Sequence, residues 1–460
     1  MSQDVAAVVL AAGKGTRFRS ETAKVLHRTA GRTLLGHILS SLQPLELGQV
    51  LVVVGHQAEE VTDEAVANGI ARNDCVLQAE QLGTGHAVQQ ALPALRDDIR
   101  RVLIVYGDTP LVAAVTLQSL LEEAADHPAA LLSARAADPT GYGRVMRDEH
   151  GRVQRIVEHG DATDEQRRID EINAGMYVVD RGWLEQALGG SSADNAQGEV
   201  YLTDIVAHLT DLGETVAASV VDEVEIAGVN DRAQLASAGA VLRARHLDRL
   251  MRDVGVTVVD PSSTYVDVDV EVGVDAVLLP GTILEAGTVV GERARVGPNS
   301  HLTACEVGPD ATVHSTRATE AVIGPGAQVG PFTHLREGTR LEEASKAGAF
   351  VETKNATLGP GAKASHIAYV GDATIGRDVN IGCGVVVVNY DGQDKHQTVV
   401  EDEAFVGSGS MLVSPVTIGG GAYVAAGSTV TDDVPARALA IGRARQVNKE
   451  GWVDRQRSGD

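Results

Sequence analysis

The sequence predicts two folds in one chain, a doubly wound α/β domain followed by a parallel β-helix of hexapeptide repeats. Three observations predict this. Short apolar runs alternate with amphipathic stretches up to about residue 230, and an aliphatic residue then recurs at every sixth position from Val272 onward. Aromatic residues make up only 3% of a chain that holds 50 glycines, which a core of large side chains would not tolerate. At 460 residues the chain suits two large domains, each with its own core.

In the first half, AAVVLAAG, QVLVVVGH and RVLIVYGD each read as a buried strand followed by a polar turn and a helix-like segment. Strands of this kind form a parallel sheet, and the loops at its carboxyl edge are where such folds bind ligands. From Asp231 to Asp253 the text turns helical, with Leu235, Val241, Leu242, Leu247, Leu250 and Met251 roughly on one face, as expected of a connecting helix. Beyond it, Val272, Leu278, Leu284, Val290, Val296 and Leu302 share one phase, and Val406, Leu412, Ile418, Val424 and Val430 share another. With aliphatic residues filling about a quarter of this region, six in a row on one phase arise by chance roughly once in four thousand trials. Shorter runs lie between, at Ile323, Val329, Leu335 and Leu341, at Leu358, Ala364 and Val370, and at Ile375, Ile381 and Val387. In a hexapeptide β-helix each short strand forms one side of a prism and the aliphatic residue points to the axis.

Composition excludes several classes of function. A formal net charge of −24 argues against a chain that coats nucleic acid or an anionic membrane, so an anionic substrate has to find a local basic pocket. Cys75, Cys305 and Cys383 are odd in number, far apart and without metal-ligand spacing, which fits a reducing cytoplasm. The opening residues lack a basic n-region, and the apolar run Val5 to Ala12 is too short for a signal h-region or a membrane span.

LAAGKGTR, Leu10 to Arg17, follows a strand directly and offers Gly13 and Gly15 where backbone amides approach an anion, with Lys14, Arg17 and Lys24 adding charge. It is neither a Walker loop nor a dinucleotide fingerprint. Asp108 stands just past a strand, where its carboxylate can hold a hard cation. Asn230, just before the connecting helix, is a candidate for its N-cap.

These residues resemble a known family. Sugar-phosphate nucleotidyltransferases share the L-x-x-G-x-G-T-R stretch, and LQAEQLGTGHA, Leu77 to Ala87, is similar to the uridine loop of bacterial bifunctional N-acetylglucosamine-1-phosphate uridylyltransferase/glucosamine-1-phosphate acetyltransferases. The resemblance implies a Rossmann-like nucleotidyltransferase domain over 1–232, a linker helix over 233–253 and a left-handed hexapeptide β-helix with acetyltransferase activity over 254–460. It implies that Leu10, Ala11, Ala12, Gly13 and Lys24 bind nucleotide, that Gln78, Gly83 and Thr84 contact uracil, and that Tyr106 and Gly107 lie near the nucleotide. Gly143, Glu158 and Asn173 would surround the sugar, and Asp108 and Asn230 would hold Mg²⁺. The sugar-1-phosphate oxygen would attack the α-phosphorus of UTP in line, with Arg17 and Lys24 as the catalytic cations and no protein nucleophile.

In the repeats, polar exceptions to the period carry information, and HLREG, ETKNA and SHIAYVGD place Arg336, Lys354, His366 and Tyr369 among them. Acyl transfer from a thioester to an amine needs a base, and an imidazole titrates in the right range. By the same resemblance His366 is that base, Arg336, Lys354, Tyr369 and Asn380 bind glucosamine-1-phosphate, and Cys383, Asn389, Tyr390, Ser408, Ala426 and Arg443 bind acetyl-CoA. Two departures stand out: a member of the family carries alanine where Cys383 stands and asparagine where Ala349 stands before Phe350. A thiol beside the thioester raises an acetyl-cysteine route, against which Cys383 also reads as a small packed residue. The resemblance further implies a homotrimer that makes UDP-N-acetylglucosamine for cell-wall precursor synthesis. A single-activity nucleotidyltransferase with a scaffolding solenoid is the alternative, and the Arg336, Lys354, His366 and Asn389–Tyr390 set argues against it.

Overall fold

The structure, a computed structural model, describes residues 3–189 and 198–458. The chain divides into two compact units, Met1–Leu242 and Arg243–Asp460.

The first unit is built on a twisted sheet. Its strands are β1 (Val5–Leu10), β2 (Gln49–Val54), β3 (Cys75–Leu77), β4 (Arg101–Tyr106), β5 (Ala129–Arg135), β6 (Arg144–Arg147), β7 (Val153–Val157), β8 (Glu171–Asp180) and β9 (Val216–Val221). The order across the sheet is β9-β5-β8-β4-β1-β2-β3, with β6 and β7 as a hairpin off β8. Residues of β1 alternate between two cores, Val5, Ala7 and Val9 packing on one face and Ala6, Val8 and Leu10 on the other. Burial on both faces is why these strands read as unbroken apolar runs. The sheet departs from the expected parallel grammar at β8, which runs antiparallel to β4 and β5. It follows the β6–β7 hairpin rather than a helical crossover, and only a crossover returns the chain parallel.

Helices α1 (Leu34–Leu42), α2 (Ala58–Ala67), α3 (Thr84–Ala91), α4 (Ala114–Glu123), α5 (Arg181–Gly189) and α6 (Asp204–Asp211) complete this unit. Helix α7 (Arg232–Arg249) crosses the boundary. Its first half adds Ala238, Leu235, Val241 and Leu242 to a cluster with Phe18, Leu34, Leu111 and Val229, while Leu247 and Leu250 join the core of the second unit. A helix that serves two cores in succession shows no single clean apolar stripe.

The second unit is a parallel β-helix, as the six-residue period requires. Val272 lies beside Val290, Leu284 beside Leu302 and Val406 beside Val424, each 18 residues apart. Every aliphatic position on the predicted phases is buried, Leu278, Val296, Leu302, Leu341 and Leu412 completely. Some coils shorten to 16 or 17 residues, as at Val307↔Ile323 and Ala347↔Ala364. One lengthens to 25, at Ile381↔Val406, and the excess is extruded as a loop around Asn389–Gln397.

Candidate active sites

In the first unit the chain leaves β1 toward β2 and β3 on one side and returns to β4 on the other, so the crevice past Leu10 and its register partner Tyr106 is a topological switch point. A cleft of about 260 Å³ opens there. Its walls include Leu10, Ala11, Ala12, Gly13, Lys24, Gln78, Gly83, Thr84, Tyr106 and Asp108. Gly107 is not among the walls, but its amide donates to the Leu10 carbonyl at 3.0 Å. A methyl added at Gly13 would meet nothing within 4 Å, whereas at Gly15 it would lie 2.5 Å from the Lys24 Cβ. Gly13 therefore leaves its backbone open to a ligand, and Gly15 makes room for the lysine.

The Lys24 ammonium pairs with the Asp108 carboxylate and donates to the Asn230 Oδ1 at 3.3 Å. Arg17 donates to the same Asn230 oxygen at 2.9 Å. Asn230 is not the cap of α7: Asp231 accepts from the Gln234 amide at 2.8 Å, and the Gln234 side chain answers by accepting from the Asn230 amide at 2.7 Å. With capping done by its neighbour, the Asn230 side chain is left to the cleft.

The expected sugar residues gather at Gly143. The Asn173 amide donates to the Gly143 carbonyl at 2.9 Å, and a methyl at Gly143 would lie 3.5 Å from both Glu158 oxygens. Thr203 donates to Glu158 at 3.2 Å. Burial pushes the Glu158 carboxyl above the usual glutamate range, against the Thr203 bond and with help from Asp161, Asp204 and Glu199. Gly175, at φ +75°, is required beneath Tyr106, since a Cβ there would sit 2.4 Å from the ring. Arg144, not singled out from sequence, is buried beside this group and donates to the Tyr142 and Arg167 carbonyls, fixing the turn that carries Gly143.

In the solenoid the candidates fall into columns. Arg336 and Lys354 occupy successive rungs, since Leu335 pairs with Thr353, and Gly371 follows opposite Lys354. Arg336 is 3.2 Å from Glu352, and Lys354 is 3.6 Å from Glu337. Tyr369 lies on the same face and leans over Gly371, where a Cβ would fall 2.4 Å from the tyrosine oxygen. One edge of this face is a corner where Ile367, Gly384, Gly409 and Gly427 all have positive φ, and the residue before each is His366, Cys383, Ser408 and Ala426. The Gly409 amide donates to the Cys383 carbonyl at 2.7 Å, and the Gly427 amide to that of Ser408 at 2.9 Å. Arg443 reaches this corner too, its Cδ 3.8 Å from where a Gly427 Cβ would be. On the other edge Asp372 accepts from both Asn355 and Asn389, which roots the extruded loop carrying Tyr390. Asn380 is set apart, in the column Lys363, Asn380, Phe405 and Tyr423 of the adjoining face.

Residues 7–170 match the model of the MobA-like NTP transferase domain. The "Bifunctional protein GlmU" of Thermobifida fusca is 53% identical, covering 100% of this chain and 96% of its own. Those of a Geobacillus species and of Streptomyces avermitilis are 46% and 50% identical, over 98% and 99% of this chain and 97% and 95% of theirs. The chain belongs to the bifunctional GlmU family. It is a bifunctional transferase, and the alternative of a single activity with a scaffolding solenoid is not favoured.

Several residues of this GlmU-family chain escaped the sequence reading. Val25, Gln81, Ala87 and Glu199 also line the nucleotide cleft. Lys395, in the extruded loop, lies against Lys354, and that like-charge contact pushes its ammonium below the usual lysine range while Asp372 opposes the shift. A polar insertion between Val387 and Val406 was the available signal for Lys395. Glu199 had none, because only the packing of 198–200 on α3, with the Gly85 amide donating to the Val200 carbonyl at 2.8 Å, brings it there. Among the described residues no helix is long and apolar enough to cross a membrane.

Proposed function

We propose that the unit Arg243–Asp460 acetylates glucosamine-1-phosphate with acetyl-CoA, and that the unit Met1–Leu242 then transfers UMP from UTP to the product, giving UDP-N-acetylglucosamine and pyrophosphate. The observation that carries this is the presence of two separate constellations of polar side chains, one on each of two compact units. Family membership supports both activities in one chain.

In the first unit, Gly13 and Lys24 receive the phosphates, Gln78, Gly83 and Thr84 receive uracil, and Glu158, Asn173 and Gly143 orient the sugar. The Asp108 carboxylate and Asn230 amide oxygen are hard donors, and the Lys24 ammonium bound to both stands where a cation belongs. They fit Mg²⁺, which when bound would neutralise charge on the phosphate oxygens. Arg17 and Lys24 would then turn to the phosphates, stabilising charge that builds on the equatorial oxygens during in-line attack.

In the second unit, Arg336, Lys354 and Lys395 form the local basic patch that an acidic chain needs for a sugar phosphate. His366 takes the proton from the glucosamine amine as it attacks the thioester carbonyl. Cys383, Ser408 and Ala426 offer a straight corner along which the extended coenzyme can lie, with Asn389, Tyr390 and Arg443 at its margins. Asn380, on the other side of the His366 corner, supports an assembly in which sites are completed between neighbouring subunits, as a homotrimer would provide. Scattered, unpaired cysteines support a reducing cytoplasm.

The test is to supply glucosamine-1-phosphate, acetyl-CoA, UTP and Mg²⁺ and to follow CoA thiol and pyrophosphate separately. Both should appear, with pyrophosphate dependent on prior acetylation. Pyrophosphate without any thiol release would refute the acetyltransferase assignment.

A further inference from the structure

His86 is not among the residues expected at either site, yet it is bonded to one of them. Gln78 is 3% exposed and lines the nucleotide cleft. Its side-chain nitrogen lies 3.1 Å from the Gly83 carbonyl oxygen and 3.1 Å from the His86 Nδ1. A carbonyl oxygen only accepts, so the atom facing Gly83 must be the amide nitrogen, and the usual ambiguity between amide oxygen and nitrogen is resolved. That nitrogen has two protons. One goes to Gly83, and the other requires a lone pair on His86 Nδ1. The imidazole proton then resides on Nε2. The Gln90 amide nitrogen stands 3.1 Å from that Nε2, one turn further along α3, and because two N–H donors cannot meet there, the Gln90 amide must be turned to present its oxygen as the acceptor. Both amide protons of Gln78 are consumed, and Oε1 remains as the one atom of that amide free to address a ligand.

We propose that His86 is a positioning residue for base selection: by holding the Gln78 amide in one orientation, it presents a fixed acceptor to the nucleobase. This rests on the assignment of Gln78 to the uracil. A fixed acceptor pairs with the N3–H of uracil and meets the N3 lone pair of cytosine unfavourably, so the device selects pyrimidines that carry a proton at N3. An amide free to rotate would offer its NH₂ to cytosine instead, and the distinction would fade, because a buried polar group that cannot adapt is what makes rejection strong.

The experiment measures kcat/KM of the full chain with UTP, CTP and 5-methyl-UTP at saturating N-acetylglucosamine-1-phosphate. His86→Leu should lower the UTP/CTP ratio by at least about tenfold, while the UTP/5-methyl-UTP ratio, in which N3–H is common to both, stays put. His86→Asn, which can place an acceptor near the Nδ1 position, should restore most of the UTP/CTP ratio. Gln90→Ala, which leaves α3 its surface and only frees the tautomer, should shift the ratio the same way by less, and it carries the test if His86→Leu does not fold. A uniform fall for UTP and CTP in His86→Leu, or an unchanged ratio in Gln90→Ala when the leucine variant is unfolded, would overturn the proposal. Failure of the uridylyltransferase assignment is a different result: the unmodified chain would not use UTP at all.

Discussion

Gly371→Ala is the sharpest probe of the solenoid site. The added Cβ would fall 2.4 Å from the Tyr369 hydroxyl oxygen and 2.6 Å from Cζ, whereas ordinary contact begins at 3.4 Å. The tyrosine tip must retreat by about 1 Å, and a misplacement of that size at a reacting centre can cost about 100-fold. Stability should change little. The neighbour that moves is the far end of a flexible side chain, Gly371 does not have positive φ, and alanine is favoured over glycine in a strand by roughly 0.5–1 kcal/mol. The assay is CoA thiol release from acetyl-CoA and glucosamine-1-phosphate, with pyrophosphate release from UTP and N-acetylglucosamine-1-phosphate as the internal control. Acetylation should fall about 100-fold with uridylylation unchanged. The double variant Gly371→Ala/Tyr369→Ala should be no worse than Tyr369→Ala alone, because the clash has lost its partner. Acetylation within about twofold of the unmodified chain would refute the placement of Tyr369 at the site.

Other consequences can be measured on the same chain. Asp108→Asn should reduce pyrophosphate release at least about 100-fold and leave thiol release intact, and loss of both would contradict separate sites. His366→Ala should do the converse. Because burial raises the Glu158 pKa in the folded state, the folded chain holds that proton more tightly than the unfolded one, so the wild type is penalised as pH rises through the ordinary glutamate range toward neutrality. Glu158→Gln should therefore raise the melting temperature of the first unit near neutral pH, with the gain vanishing below about pH 4, while impairing uridylylation. A gain that grows on acidification would reverse the sign of this linkage. Leu302→Ala, at a fully buried rung, should cost about 2–5 kcal/mol in denaturant unfolding of the solenoid, and a cost below about 1 kcal/mol would mean that the stack closes over the cavity.

The β-helix was legible because its defining property is local: an aliphatic residue on the axis every six positions can be counted along the chain. The phases at Val272 and Val406 accordingly meet a buried rung at each step. The strands ending in Leu10 and Tyr106 were legible for the same reason, as a strand buried on both faces is an apolar run whatever lies beside it. Family resemblance in short motifs then named candidate residues. What the sequence could not supply was adjacency. That Asn230 meets both Arg17 and Lys24, that Glu158 and Asn173 both come up against Gly143, that Lys395 comes down on Lys354 and that Asn380 falls on a different face from Tyr369 are outcomes of strand order and coil length. So is the antiparallel course of β8, which no apolar pattern encodes, because a strand presents the same alternation read in either direction. Periodicity along the chain determined the two folds; only the tertiary structure decided which side chains share a site, since pairing between elements far apart in sequence depends on the closure of the whole sheet and coil rather than on any local preference.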